Sequence, residues 1–152
     1  MEVKLKKTES RQAAVVSHVG PYGEVGRLYE EVARWLRQKQ LRITGSSFGW
    51  FYDNPEEVSE NKLRSEVGFP FQGEAKSEGK VEIRKIPAQE VLSVIHKGPY
   101  REVGPAYATL FQYTKEKGYI PQGCPMEIYL NDPAKVAEKE LLTEIQLPIK
   151  KK

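Results

Sequence analysis

The chain repeats itself at an interval of 78 residues, and that duplication constrains its fold more than any other feature. His18-Val19-Gly20-Pro21-Tyr22-Gly23-Glu24-Val25-Gly26 returns as His96-Lys97-Gly98-Pro99-Tyr100-Arg101-Glu102-Val103-Gly104. Without a gap, the same spacing pairs Tyr29 with Tyr107, Gly45 with Gly123, Pro55 with Pro133, Leu63 with Leu141, Glu66 with Glu144 and Pro70 with Pro148. A repeat of that length is one supersecondary unit, and two such units bury apolar faces that neither covers alone. The seam between similar halves is a natural place for a ligand cleft. Positions where the halves differ are therefore the informative ones.

Each half reads strand, strand, helix, strand, strand. In the first, Ala13 to His18 is a short valine-rich run that suits a buried strand, and Gly20-Pro21 breaks it. Val25, Leu28, Tyr29, Val32, Trp35 and Leu36 follow at spacings of three and four, which predicts a helix over residues 22–40. Strands are expected at 3–7, 48–52 and 63–69, with Asp53-Asn54-Pro55 as a turn. The second half predicts strands at 80–86, 90–96, 126–130 and 141–147. Its helix, over 100–117, has Val103, Ala106, Tyr107, Leu110 and Tyr113 inward and ends at Gly118. The polar stretch 72–78 reads as a surface linker. The fold class is α+β: one domain, 1–152, made of two repeats (about 1–71 and 79–149). A pseudo-two-fold duplication of a strand-helix-strand-strand unit gives an antiparallel sheet, two long helices on one side and a central ligand groove.

Composition closes off several functions. Twenty-four basic against 21 acidic residues, a net +3, is too balanced for direct nucleic-acid binding. No apolar run approaches the roughly 20 residues that span a bilayer, so no membrane partner is expected. The N-terminus lacks a signal-peptide core, and Cys124 as the single cysteine allows no internal disulfide, so a cytoplasmic location is expected. No phosphate loop, dinucleotide fingerprint, zinc spacing or serine elbow is present, and two histidines make a poor metal site. Neither cofactor nor metal is expected. His18 and His96, like Tyr22 and Tyr100, occur in both halves and read as shared scaffold.

The sharpest difference between the halves is Glu127, whose repeat partner is Gly49. Residues two apart on a strand share a face, so Glu127 points with Tyr129 and Gly49 with Phe51. If those faces meet across the seam, one wall carries Glu and Tyr and the other carries Phe beside a gap that Gly49 leaves open. A carboxylate in an aromatic, partly dry cleft suits an organic cation, by charge pairing and by cation–π attraction. With its pKa raised by desolvation it would also serve as a general acid or base. Phe48, Trp50, Tyr52 and Tyr119 add to the aromatic density. Trp50 and Tyr52 lie on the face opposite Phe51 and are expected to pack under the helices, while Trp50 and Tyr119 remain candidates for lining the ligand. A strand Glu facing water is the plain alternative.

The duplicated His-x-Gly-Pro-Tyr, followed by Gly123-Cys124-Pro125-Met126-Glu127-Ile128-Tyr129-Leu130-Asn131-Asp132-Pro133, resembles the gyrase-inhibitor-like (GyrI-like) family. It is also similar to the effector-binding domain of multidrug-responsive transcription activators. The resemblance covers nearly the whole chain. It implies a pseudo-symmetric fold around a groove, with Glu127 contacting cationic aromatic ligands and Tyr129 near it. It implies binding of small hydrophobic, cationic molecules as the leading function. The first alternative is hydrolysis of cyclopropane-bearing or other electrophilic xenobiotics with Glu127 as the catalytic residue. The second is a protein-interaction module that touches a protein partner such as a topoisomerase.

Overall fold

A computed structural model describes residues 1–152. Ten strands and two helices follow one another as β1 (Lys4–Lys7), β2 (Arg11–Val19), α1 (Gly26–Gln38), β3 (Arg42–Ile43), β4 (Phe48–Phe51), β5 (Arg64–Gln72), β6 (Glu82–Ile86), β7 (Glu90–Lys97), α2 (Gly104–Lys117), β8 (Tyr119–Pro121), β9 (Met126–Tyr129) and β10 (Leu142–Lys151). Every strand pairing is antiparallel. The fold class is α+β, as the pattern predicts. Neither helix is long and apolar enough to cross a membrane.

The chain forms two compact units, Ser10–Pro87 and Met1–Glu9 with Ala88–Lys152. In the first, β2 lies between β5 and β6, and β4 and β3 pair with β5. Leu28, Val32 and Leu36 on one stripe of α1 pack on Ala14, Val16, Val67 and Phe71 of the sheet. In the second, β10 lies between β7 and β9, β1 pairs with β7, and β8 with the end of β10. There Ala106 and Leu110 of α2 pack on Leu92, Val94, Ile145 and Leu147.

The units do not coincide with the sequence repeats. β1, from the first repeat, pairs with β7 of the second, with Lys4 opposite Ser93. β6, from the second repeat, pairs with β2 of the first, with Arg11 opposite Ile86. The repeats thus exchange their first strands. The exchange is matched by repeat-related ion pairs on the sheet faces away from the helices. Lys6 of β1 binds Glu144 at 2.9 Å, and Arg84 of β6 binds Glu66. The stretch predicted as a linker is therefore fastened into one unit. Lys39 Nζ meets Glu78 at 2.7 Å, and Ser77 Oγ accepts from the Ile83 amide at 3.0 Å.

Other differences from the sequence pattern are local. Both helices start later than predicted, because Tyr22–Glu24 and Tyr100–Glu102 form a 3₁₀ turn directly after the Gly-Pro step. β3 and β8 are new; two and three residues carry no periodicity to read. Trp50 and Tyr52 do not pack under a helix. Trp50 stands edge-on to Phe48 at 5.2 Å with Arg84 over its ring, and Tyr52 is 40% exposed with its hydroxyl on Glu66. Phe51 takes the helix side instead, packing with the core under α1.

Candidate functional site

The site lies within the unit that holds α2. On β9, Glu127 stands opposite Ile145 and Tyr129 opposite Thr143 of β10. Ile145 is part of the core under α2, and directly opposed residues share a sheet face, so Glu127 and Tyr129 point to the helix side. One turn into α2, Tyr107 reaches down to them. Tyr129 Oη donates to Glu127 Oε1 at 3.0 Å, and Tyr107 Oη donates to Oε2. Tyr100, in the 3₁₀ turn that leads to α2, meets the Tyr129 ring edge-on, with centroids 5.2 Å apart. His96 stands opposite Thr143 from the other side of β10, and its Nε2 donates to the Pro99 carbonyl at 3.0 Å.

Glu127 is only 7% exposed. Burial pushes its carboxyl above the ordinary carboxylate value, while the two phenols and the neighbouring His96 pull the other way without cancelling that effect. The buried Thr143 hydroxyl in the adjacent row has no hydrogen-bond partner.

The surroundings of Glu127 differ in kind from those of two other sheet carboxylates, Glu66 and Glu144. Glu66 has Arg84, Tyr52 and Ser17; Glu144 has Lys6, Ser93 and Gln146. For each, burial pushes the pKa up but the partners outweigh it, and both carboxyls lie below the ordinary value. Glu127 has phenols and no Lys or Arg.

The first repeat shows what the same framework does without a carboxylate. Tyr29, the partner of Tyr107, donates to the Phe48 carbonyl at 3.1 Å. Tyr22 meets Phe51 edge-on at 5.0 Å, as Tyr100 meets Tyr129. The gap expected beside Gly49 is filled. A Cβ there would lie 2.9 Å from both Tyr29 Oη and the Phe51 ring, so Gly49 serves close packing rather than supplying room. Gly49, Trp50 and Phe51 belong to the α1 unit. Tyr119 stacks on Tyr113 at 6.4 Å, at the far end of α2.

Of the residues singled out in the sequence, Glu127 and Tyr129 are therefore in contact. Tyr107, Tyr100 and His96 were missed as neighbours of Glu127. All three occur in both repeats, and the repeat pattern assigns such residues to scaffold. The available signal was the Tyr29/Tyr107 pair on the inner stripe of each helix, a phenol aimed at the one position where Gly and Glu alternate.

Against known proteins, the GyrI-like small-molecule-binding domain description matches residues 1–150. The solved C-terminal domain of EcmrR superposes with a TM-score of 0.88 at 26% identity, over 99% of this chain and 98% of that one. In the EcmrR–DNA complex the match spans 58% of the longer EcmrR chain. A DNA gyrase inhibitor of Citrobacter rodentium is 24% identical over 87% of both chains, and one of Pectobacterium carotovorum is 29% identical over 44% of both. SAV2435, solved bound to tetraphenylphosphonium, shares the fold with a TM-score of 0.64 at 11% identity, over 99% of this chain and 94% of that one. The match runs across almost every residue of this duplicated framework: the chain belongs to the GyrI-like small-molecule-binding domain family.

Proposed function

We propose that this domain binds a hydrophobic organic cation, with Glu127 as its counter-charge and Tyr129 as an aromatic wall. One observation carries the reading. Buried carboxylates are ordinarily paired with a cation, and Glu66 and Glu144 follow that rule through Arg84 and Lys6. Glu127 is as buried as either, and no basic side chain forms a salt bridge with it. The phenols of Tyr107 and Tyr129 hold the carboxylate in place and leave lone pairs on both oxygens. A ligand cation supplies the missing charge, and the surrounding rings favour one with apolar or aromatic substituents. Gly49, Phe51, Trp50 and Tyr119 are not needed for this reading.

Tetraphenylphosphonium, the ligand in the SAV2435 structure, is the natural first probe. Calorimetry is expected to show micromolar binding by the wild-type chain and at least tenfold weaker binding by Glu127→Gln, about 1.4 kcal/mol. Equal affinities would remove Glu127 from the site. Because the probe keeps its charge at every pH, its affinity follows the ionisation of Glu127. It weakens on acidification at a pH above the ordinary carboxylate range, and the Gln variant shows no such step.

The raised pKa of the same carboxyl also favours a second reading, as general acid or base in a hydrolysis of strained electrophilic rings. Turnover of a cyclopropane-bearing alkylator by the wild type and not by Glu127→Gln would support it, and binding without turnover across a panel of such compounds would dismiss it.

A further inference from the structure

We infer that Tyr100 is a ligand-contacting residue, the ring that turns off Tyr129 so that the cation's apolar body enters between the two. This rests on the reading of Glu127 above. The inference comes from comparing Tyr100 with its repeat twin. Tyr22 and Tyr100 each open a 3₁₀ turn after Gly-Pro, and each lays its ring edge-on against the strand, 5.0 Å from Phe51 and 5.2 Å from Tyr129. Their hydroxyls differ. The Tyr22 hydroxyl is latched to main chain: it lies 2.9 Å from the Asp53 carbonyl and 3.0 Å from that of Arg64, and accepts from the Asp53 amide at 2.9 Å. The Tyr100 hydroxyl makes no such main-chain hydrogen bond, and its part-buried ring meets Tyr129 edge-on.

The charges around the two rings differ in the same sense. In the first repeat the corresponding positions are Gly49 and Asn54, with Arg64 bound to Asp53 through Nε and Nη2 of its guanidinium. In the second they are Glu127 and Asp132, with Leu142 and Asn131 in place of the ion pair. No Lys or Arg forms a salt bridge with Glu127 or Asp132 in this structure. Burial first, and then Asp132 and Glu127, raise the Tyr100 phenol above its ordinary value. A ring with no hydroxyl latch, near two carboxylates that no Lys or Arg neutralises, offers a cation both an attractive face and nearby negative charge. A latched ring beside an internally neutralised pair offers neither. The identical motif has become structural in one repeat and, on this reading, recognitive in the other.

The test uses the full chain and tetraphenylphosphonium. Thermal unfolding is expected to show Tyr22→Phe melting lower than wild type, because its latch is lost, and Tyr100→Phe melting with wild type. Calorimetry is expected to show at least fivefold weaker binding for Tyr100→Leu. In the wild-type complex, phenyl protons of the probe are expected to give nuclear Overhauser contacts to the Tyr100 ring, which keeps the test independent of how the leucine variant folds. Wild-type affinity in Tyr100→Leu, absent contacts to that ring, or destabilisation by Tyr100→Phe equal to that by Tyr22→Phe would each overturn the role of Tyr100 alone. Failure of the wild type to bind the probe would instead overturn the Glu127 reading, and this inference with it.

Discussion

Glu127 destabilises the fold that holds it. Its carboxyl is raised in the folded state, chiefly by burial, relative to the unfolded chain. At acid pH both states are protonated and the site is neutral. As pH rises past the unfolded value, ionisation favours the unfolded chain, and the associated stability is lost through the folded pKa. Glu127→Gln is therefore expected to melt higher than wild type at pH 7.5, with the gain vanishing below the ordinary carboxylate value of about 4.3. A lower melting temperature for the variant at neutral pH would contradict that sign. A second residue carries a different strain. Gln40 ends α1 at φ 59°, where its repeat partner Gly118 ends α2 at φ 76°. Glycine adopts this left-handed turn without the clash a Cβ makes. Gln40→Gly is expected to stabilise by roughly 1 kcal/mol, about 2–4 °C in a chain of this size, and a fall in melting temperature would refute it. The Glu127/Gly49 contrast was legible because a charge facing an empty position stands out in a repeat. The strain at Gln40 shows only through its repeat partner, since Gly118 reads as a helix stop and a glutamine by itself does not. The division of labour between Tyr22 and Tyr100 was not legible, since two identical residues differ only in what their hydroxyls reach.

Among the elements, the exchanged edge strands β6 and β1 are each pinned by a repeat-related ion pair, of unequal strength. Arg84 is 29% exposed at its side chain, binds Glu66 and also reaches Glu82, whereas Lys6 is 42% exposed and binds Glu144 alone. Arg84→Met is expected to lower stability by about 1–3 kcal/mol, since Glu66 loses its charged partner and keeps only the Tyr52 and Ser17 hydroxyls. Lys6→Met should lower it by about 0.2–1 kcal/mol. Chemical denaturation of both variants checks the order, and a larger loss from Lys6→Met would refute it. Both glutamates sit below the ordinary carboxylate value in the fold, despite burial, because their partners outweigh it. Their stabilisation is thus present above the unfolded pKa and lost as pH falls through the folded one, opposite in sign to Glu127. Apolar runs bounded by Gly and Pro located the long strands within a few residues, since their middles are buried on both faces. They gave no hint of β3 or β8. Nor did they say which core strand β1 or β6 would join, because β1 and β6 have similar alternating, charged patterns and either would suit either edge.

For the whole molecule, the duplication was plain in the sequence, but the boundary was not. A repeat predicts a unit ending near residue 78; strand pairing puts the boundaries at Glu9/Ser10 and Pro87/Ala88. Residues 10–87 contain α1, its core and five paired strands. Residues 1–78 lack β6 and carry β1 without the β7 edge it joins. The fragment 10–87 is therefore expected to unfold cooperatively, and the fragment 1–78 to melt broadly or not at all. Calorimetric scans that reversed this order would show that the exchange is not what completes each unit. The exchange also sets a schedule for a nascent polypeptide. β1 leaves the ribosome before β7, and Lys7 finds its place only against Glu90, some 80 residues later. At roughly 5–20 residues per second, that is on the order of ten seconds, during which the α1 unit is completed while β1 waits unhoused.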